Sequence, residues 1–216
     1  MFLKMKKPLP TLQYELPLWE KGFLAVAGID EAGRGCWAGP VTAGAVILPA
    51  DPGILETLSG VRDSKLMTPA ERDAMFSVIS GAAVSWATGE ADNAEIDRLG
   101  ILNATRLAMK RALSALAVRP DHLLIDYVRL HDVTIPQIGI AHGDMVSLSI
   151  AAASVMAKVT RDREMEVLAE KYPAYGFEKH KGYGTKQHQD ALARFGPAPI
   201  HRMSFKPIAS EELKLF

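Results

Sequence analysis

The chain has 216 residues, 48% of them hydrophobic and 23% charged, which is the composition of a soluble globular domain and excludes a disordered or fibrous protein. Its 25 basic and 25 acidic side chains cancel, so a nucleic-acid partner would have to be met by a local patch and not by overall charge. A single cysteine, Cys36, excludes an internal disulfide; the amino-terminal stretch MFLKMKKPLP has no apolar core long enough for a signal peptide and no run anywhere approaches a membrane span, so a cytoplasmic location is expected.

Residues 1–22 hold Pro8, Pro10 and Pro17 without periodicity and read as an extended arm. The apolar run from Leu24 to Ile29 reads as a buried strand that delivers Asp30 and Glu31 at its end. After Gly33-Arg34-Gly35, Val41 to Leu48 reads as a second strand, and the short connection makes it antiparallel to the first. Thr68-Pro69-Ala70-Glu71 combines a capping box with proline at the first helical position, predicting a helix to about Ile79. Ala83 to Thr88 is the third predicted strand. Asp92 and Glu95 repeat the capping spacing ahead of a short helix, and apolar residues recur at helical spacing from Ile101 to Leu116.

Pro120 closes that helix, and Leu123 to Ile125 forms a short strand ending on Asp126, the same design of apolar run and carboxylate as the first. Val133 to Ile138 reads as a further strand interrupted by proline. After Gly143-Asp144, Met145 to Tyr172 reads as a long helix: its small residues 149–154 suit close packing on a sheet, and its charged part, Lys158 to Lys171, is expected to surface. A loop from His180 to Gly184 leads to a last helix from about Thr185 to Gly196. The pattern predicts an α/β fold, a mixed sheet with helices packed on it, with residues 23–207 as one domain and 208–216 as a tail.

Asp30, Glu31, Asp126 and Asp144 all fall at element ends, where a compact sheet can gather them. Carboxylate oxygens without thiols or paired imidazoles select hard cations, Mg²⁺ or Mn²⁺, and four of them can hold two such ions roughly 4 Å apart for phosphodiester hydrolysis. Asp63, Asp121, Asp132 and Asp162 compete on spacing alone, and a surface acidic turn is the alternative for Asp30-Glu31. The glycines around Arg34 let backbone approach a ligand while the guanidinium offers donors suited to phosphate.

GIDEAGRG followed by GPV, then DSK, the strand end at Asp126, GD before SIAAAS and AKVTRD, HKGYGT, and finally His201-Arg202 with Ser204-Phe205 together resemble bacterial ribonuclease HII, in order from about Gly28 to Phe205. The resemblance implies a ribonuclease H-like fold and an endonuclease acting on RNA paired with DNA or on a lone ribonucleotide in duplex DNA. It implies Asp30, Glu31, Asp126 and Asp144 as the catalytic and metal-holding carboxylates, with Asp162 outside that set. Gly33, Arg34 and Gly35 match the loop that senses the ribose 2′-hydroxyl. Tyr183 resembles the tyrosine that packs on the neighbouring deoxyribose, and Lys65 resembles a phosphate ligand. Tyr127, where the family usually has glycine, and His142, where it often has lysine, depart from the pattern; Trp37 and Met145 are also unusual. The sister family, ribonuclease HIII, carries a folded amino-terminal domain for which the residues before Leu24 are too few.

Between Met156 and Pro207 ten basic residues stand against six acidic ones, so this part is expected to carry the face turned to the duplex. The last residues, Glu212 to Phe216, resemble the peptide by which bacterial replication proteins dock on the sliding clamp. No membrane partner is expected, and a monomer is. A catalytically silent hybrid-binding module is disfavoured by the four carboxylates, which repel a phosphate backbone, and a small-molecule phosphohydrolase by the sensing loop and Tyr183.

Overall fold

The structure is a computed structural model and describes residues 9–209. Five strands form one sheet: β1 (Val26–Ala32), β2 (Val41–Ile47), β3 (Ser85–Ala91), β4 (His122–Asp126) and β5 (Gln137–Ile140). Their order is β3-β2-β1-β4-β5; β2 is antiparallel to β1 and β3, and β4 is parallel to β1 and β5. This is the mixed sheet the sequence predicts. The helices are α1 (Leu16–Glu20), α2 (Ile54–Thr57), α3 (Pro69–Ala82), α4 (Asn93–Leu99), α5 (Ile101–Ala115), α6 (Leu148–Lys171), α7 (Phe177–His180) and α8 (Lys186–Phe195). Both predicted capping boxes close: Thr68 and Asp92 accept from the backbone N–H groups of Glu71 and Glu95, whose carboxylates accept from the cap backbone in return.

Alternation along β1 sends Ala27 and Ile29 to the face covered by Ala104, Ala108 and Ala112 of α5, and Val26, Gly28 and Asp30 to the face covered by α6. The small residues of α6 allow its backbone to lie directly on the central strands. A Cβ on Gly28 would fall 2.1 Å from the Ser149 carbonyl carbon, and one on Gly44 would fall 2.4 Å from the Ala153 oxygen. A residue larger than glycine at either position would have to push the helix away from the sheet end that carries Asp30.

Several elements differ from the sequence expectation for local reasons. The arm before β1 is not extended throughout, because Pro17 sits in the first turn of α1, where its missing N–H costs nothing, and Glu15 ahead of it is fully buried. Asp30 and Glu31 lie inside β1, paired with Gly44 and Ala43, and not beyond its end. β5 starts at Gln137 because Pro136 has no N–H to give the ladder, although its carbonyl accepts from Leu123 N–H at 2.9 Å. The long helix begins at Leu148: Gly143–Met145 form a separate 3-10 turn, and the Ser147 hydroxyl accepts from Ile150 N–H. Its second half surfaces on one face only, with Arg163, Glu166, Glu170 and Lys171 exposed while Val159, Arg161, Met165 and Ala169 are buried. The one-turn helix α7 was not anticipated. The clamp-type segment Glu212–Phe216 lies outside the described residues. Among those described, no helix is long and apolar enough to cross a membrane.

Candidate active site

The register of the parallel pair β1–β4 sets Ile29 beside Ile125, so Asp30 and Asp126 follow one residue later at the carboxyl-terminal ends of neighbouring strands. Both alternate with residues on the α6 face, Asp30 with Gly28 and Asp126 with Leu124. Gly143 N–H donates to Asp126 Oδ1 at 2.7 Å, docking the turn that carries Asp144 against the end of β4. From the other side the Ser64 hydroxyl lies 2.9 Å from that of Ser154 on α6, which seats the Asp63–Lys65 segment over the same sheet end. Arg34 Nη1 donates to Glu31 Oε1 at 2.9 Å.

The resulting field is strongly negative. Burial holds the Asp30 carboxyl well above the ordinary carboxylate range, and the charges of Glu31 and Asp126 push it further; hydrogen bonds from Ser154 and from Glu31 N–H oppose this. Burial also raises Glu31 against the pull of Arg34. Asp144 is raised by burial, then by Asp63 and Asp126. For Lys65 burial works to lower the ammonium, but Asp30, Asp63, Asp144 and Asp126 together outweigh it and hold it above the usual lysine value. Glu31 Oε2 is buried with no hydrogen-bond partner. Clustered hard oxygens, raised acids and an unpartnered carboxylate oxygen fit a divalent ion such as Mg²⁺ or Mn²⁺. The carboxylates are not arranged as a finished cage, and among the described residues no three metal-ligating side chains converge as one. Glu31 Oε1 is occupied by Arg34 and Asp126 Oδ1 by Gly143.

Facing this end of the sheet, residues 33–40 are fixed by two buried arginines. Arg161 donates to the carbonyls of Pro40 (2.9 Å), Ala38 (3.1 Å) and Lys181 (2.9 Å), and Arg202 to those of Gly39 (3.0 Å), Pro40 (3.0 Å) and Arg34 (2.9 Å). Both side chains are fully buried, and burial lowers the Arg202 guanidinium to about 10. Gly33 has φ +91°, and a Cβ there would lie 2.0 Å from Arg161 Nε, so glycine is required on both counts. Trp37 N–H donates to Gly182 O at 2.8 Å, joining this loop to the one that carries Tyr183. The half-exposed Tyr183 ring lies 5.6 Å from Lys158 Nζ and 6.0 Å from the Arg161 guanidinium carbon, and burial, then neighbouring Cys36, pushes its hydroxyl up to about 12. A groove of about 570 Å³ lined by Lys158, Arg163, Lys179, Lys181 and Tyr183, among others, opens beside it.

The model of the family described as Ribonuclease HII matches residues 27–208. The chain belongs to the ribonuclease HII family. It is thereby an endonuclease of the ribonuclease H type. A ribonuclease HII of Roseiflexus castenholzii is 54% identical over 208 residues, covering 94% of this chain and 92% of its own. The crystal structure of ribonuclease H2 from Pyrococcus horikoshii OT3 aligns with a TM-score of 0.73 at 27% identity, over 88% of this chain and 99% of that one. The structure of the PCNA:RNase HII complex from Archaeoglobus fulgidus aligns at 0.71 and 25% identity, over 85% and 96%.

Within this ribonuclease HII chain the competing acids separate cleanly. Asp63 joins the site, acting on Asp144 and Lys65. Asp121 instead receives the N–H groups of Leu24 and Ala25 just before β1, at the opposite end of the sheet from Asp30. Asp132 pairs with Lys110, and Asp162 with Lys158 and Arg72. Arg34, read from sequence as a phosphate donor, is held by Glu31. Arg161 and Arg202, counted in the basic face, are structural and unavailable to a duplex. Their motif context, TRD and HR, was the only signal that could have marked them. Tyr127 and His142, the departures from the family pattern, both adopt positive φ, +57° and +56°, where a side chain is strained and glycine is not.

Proposed function

We propose that this chain cuts the RNA strand of RNA–DNA hybrids and cuts 5′ to a single ribonucleotide in duplex DNA, leaving 5′-phosphate and 3′-hydroxyl ends, with residues 23–207 as the catalytic unit. The observation that carries this reading is the gathering of Asp30, Glu31, Asp126 and Asp144 at one sheet end around a buried, unpartnered Glu31 oxygen, beside a rigidly held glycine loop. Two divalent ions, Mg²⁺ or Mn²⁺, held by those four carboxylates would supply Lewis acidity for activating a water and neutralising the departing oxygen. The protein's own part is positional. Asp30 and Asp126 are fixed by the strands, Asp144 by the Gly143–Asp126 bond, and Lys65 brings positive charge to the scissile phosphate. Gly33 and Gly35 give the loop backbone access to the minor groove, where the ribose 2′-hydroxyl distinguishes RNA from DNA, with Arg34 between them. Tyr183, facing outward from the adjoining loop, packs on the next deoxyribose and so selects a junction. The PCNA complex of the Archaeoglobus relative supports reading the tail Glu212–Phe216 as a sliding-clamp ligand.

The test is cleavage of duplex DNA carrying one ribonucleotide, with Mg²⁺ or Mn²⁺, comparing wild type with Asp30→Asn and with an all-DNA control. We expect a cut 5′ to the ribonucleotide, reduced about 10³-fold or more by Asp30→Asn. Failure to cut in either metal while the duplex is still bound would contradict it.

A further inference from the structure

Behind the Tyr183 loop lie three histidines that the proposed chemistry does not use. His180, His188 and His201 are 7%, 0% and 1% exposed. The His180 and His188 rings stack with centroids 4.6 Å apart, and Phe177 presents its edge to both. All six ring nitrogens have partners, so the cluster has no lone pair left for a metal. His188 Nδ1 lies 3.0 Å from the Tyr183 carbonyl, and its Nε2 lies 2.9 Å from His201 Nε2. His201 Nδ1 lies 2.8 Å from Ala198 N and 3.0 Å from Ala198 O. His180 Nδ1 accepts from Gly182 N–H at 3.2 Å, and its Nε2 faces the Tyr175 carbonyl at 2.9 Å.

The two contacts of His188 select one arrangement of protons with both rings neutral. A carbonyl can only accept, so His188 carries its proton on Nδ1 and donates to Tyr183; its Nε2 is then a lone pair, which His201 must fill with an Nε2–H. His201 Nδ1 is left as an acceptor, met by the Ala198 N–H at 2.8 Å, the nearer of its two Ala198 neighbours. We infer that His188 and His201 form a neutral relay that positions Tyr183: through it the 198–201 segment fixes the Tyr183 carbonyl, so both are positioning residues for recognition of the ribonucleotide–DNA junction. The relay ends one residue before Arg202, whose side chain holds the Gly33–Pro40 loop, and Ala38 bridges His201. One connected network therefore sets the spacing between the loop proposed to sense the 2′-hydroxyl and the tyrosine proposed to sense the following deoxyribose. No hydrogen bond to these rings comes from a carboxylate among the described residues; the titratable groups packed around His188 are His180 and His201, with Tyr175 against His201.

The inference rests on the proposed role of Tyr183, and two independent measurements test it. Long-range ¹H–¹⁵N spectra of the imidazoles should report His188 as the Nδ1–H tautomer and His201 as the Nε2–H tautomer at neutral pH; any other pairing overturns the relay. In steady-state cleavage of the single-ribonucleotide duplex, His188→Ala should raise KM about tenfold, with a smaller effect on kcat. His188→Asn, whose amide can still donate to the Tyr183 carbonyl, should restore most of that loss. The double variant His188→Ala/Tyr183→Ala should be no worse than Tyr183→Ala alone, because the two act through one contact. Additive effects, or no rescue by asparagine, would overturn the inference while leaving the nuclease reading intact. A wild-type enzyme that leaves this duplex uncut overturns the nuclease reading itself, and the positioning role with it.

Discussion

Where Asp30, Glu31 and Asp144 meet, burial raises all three acids and one carboxylate oxygen has no donor. Around residues 33–40, by contrast, two guanidinium groups spend six hydrogen bonds on backbone carbonyls, and the histidines behind Tyr183 leave no ring nitrogen unmatched. The two halves face one another but are built on different balances. The carboxylate half keeps a surplus of negative charge that Arg34 and Lys65 offset only in part. The loop half is satisfied from within, so its shape is set before any ligand arrives. A rigid template suits discrimination by a single hydroxyl, since looseness of an ångström would erase the difference between ribose and deoxyribose.

The contrast makes removal of a loop anchor expensive. Arg202→Ala takes the guanidinium donor from the carbonyls of Gly39 and Arg34, leaves Pro40 to Arg161 alone, and empties a fully buried side-chain site, so it should destabilise the protein by about 3–5 kcal/mol in urea unfolding. Arg202→Lys keeps the charge but not the fork and should recover only part of this. A loss below about 1 kcal/mol would show that water replaces the guanidinium and that the loop is not held as described.

Next in size is the pH response of the histidine cluster. Burial lowers His188 to about 4 from its ordinary 6.5, so between these values the unfolded chain binds more protons and stability falls as pH drops. The contribution is on the order of 2–3 kcal/mol across that window. It should appear as a steeper fall of Tm for wild type than for His188→Asn, and parallel curves would contradict it. The smallest effect is at the site's edge: Tyr127, exposed and at φ +57°, should gain about 1 kcal/mol on replacement by glycine. A loss there would mean that the tyrosine side chain contributes more than its backbone strain costs.

Much of the sheet was legible because its signals are local. Two capping boxes marked the starts of α3 and α4, and the small residues of α6 announced close packing on the sheet. The carboxylate strand ends were equally plain, and the register of β1 on β4 explains why residues nearly a hundred positions apart become neighbours. What the sequence did not disclose depends on tertiary partners. Arginines 161 and 202 look like solvated charge in a basic segment, and only the carbonyls they meet make them core residues. His188 carries no local mark at all, because its partner lies thirteen residues on. The pairing of Arg34 with Glu31 was likewise hidden, since the same guanidinium would serve a phosphate or a carboxylate equally well.

The claim that the carboxylate half is completed by a cation is tested most directly by thermal unfolding with and without Mn²⁺ or Mg²⁺. Asp30→Asn removes a buried charge whose acid is raised, so without metal it should melt above wild type by a few degrees, about 1 kcal/mol. On adding metal, wild type should rise past the variant, which should respond weakly. Equal shifts in both proteins, or none in either, would contradict a metal site at Asp30.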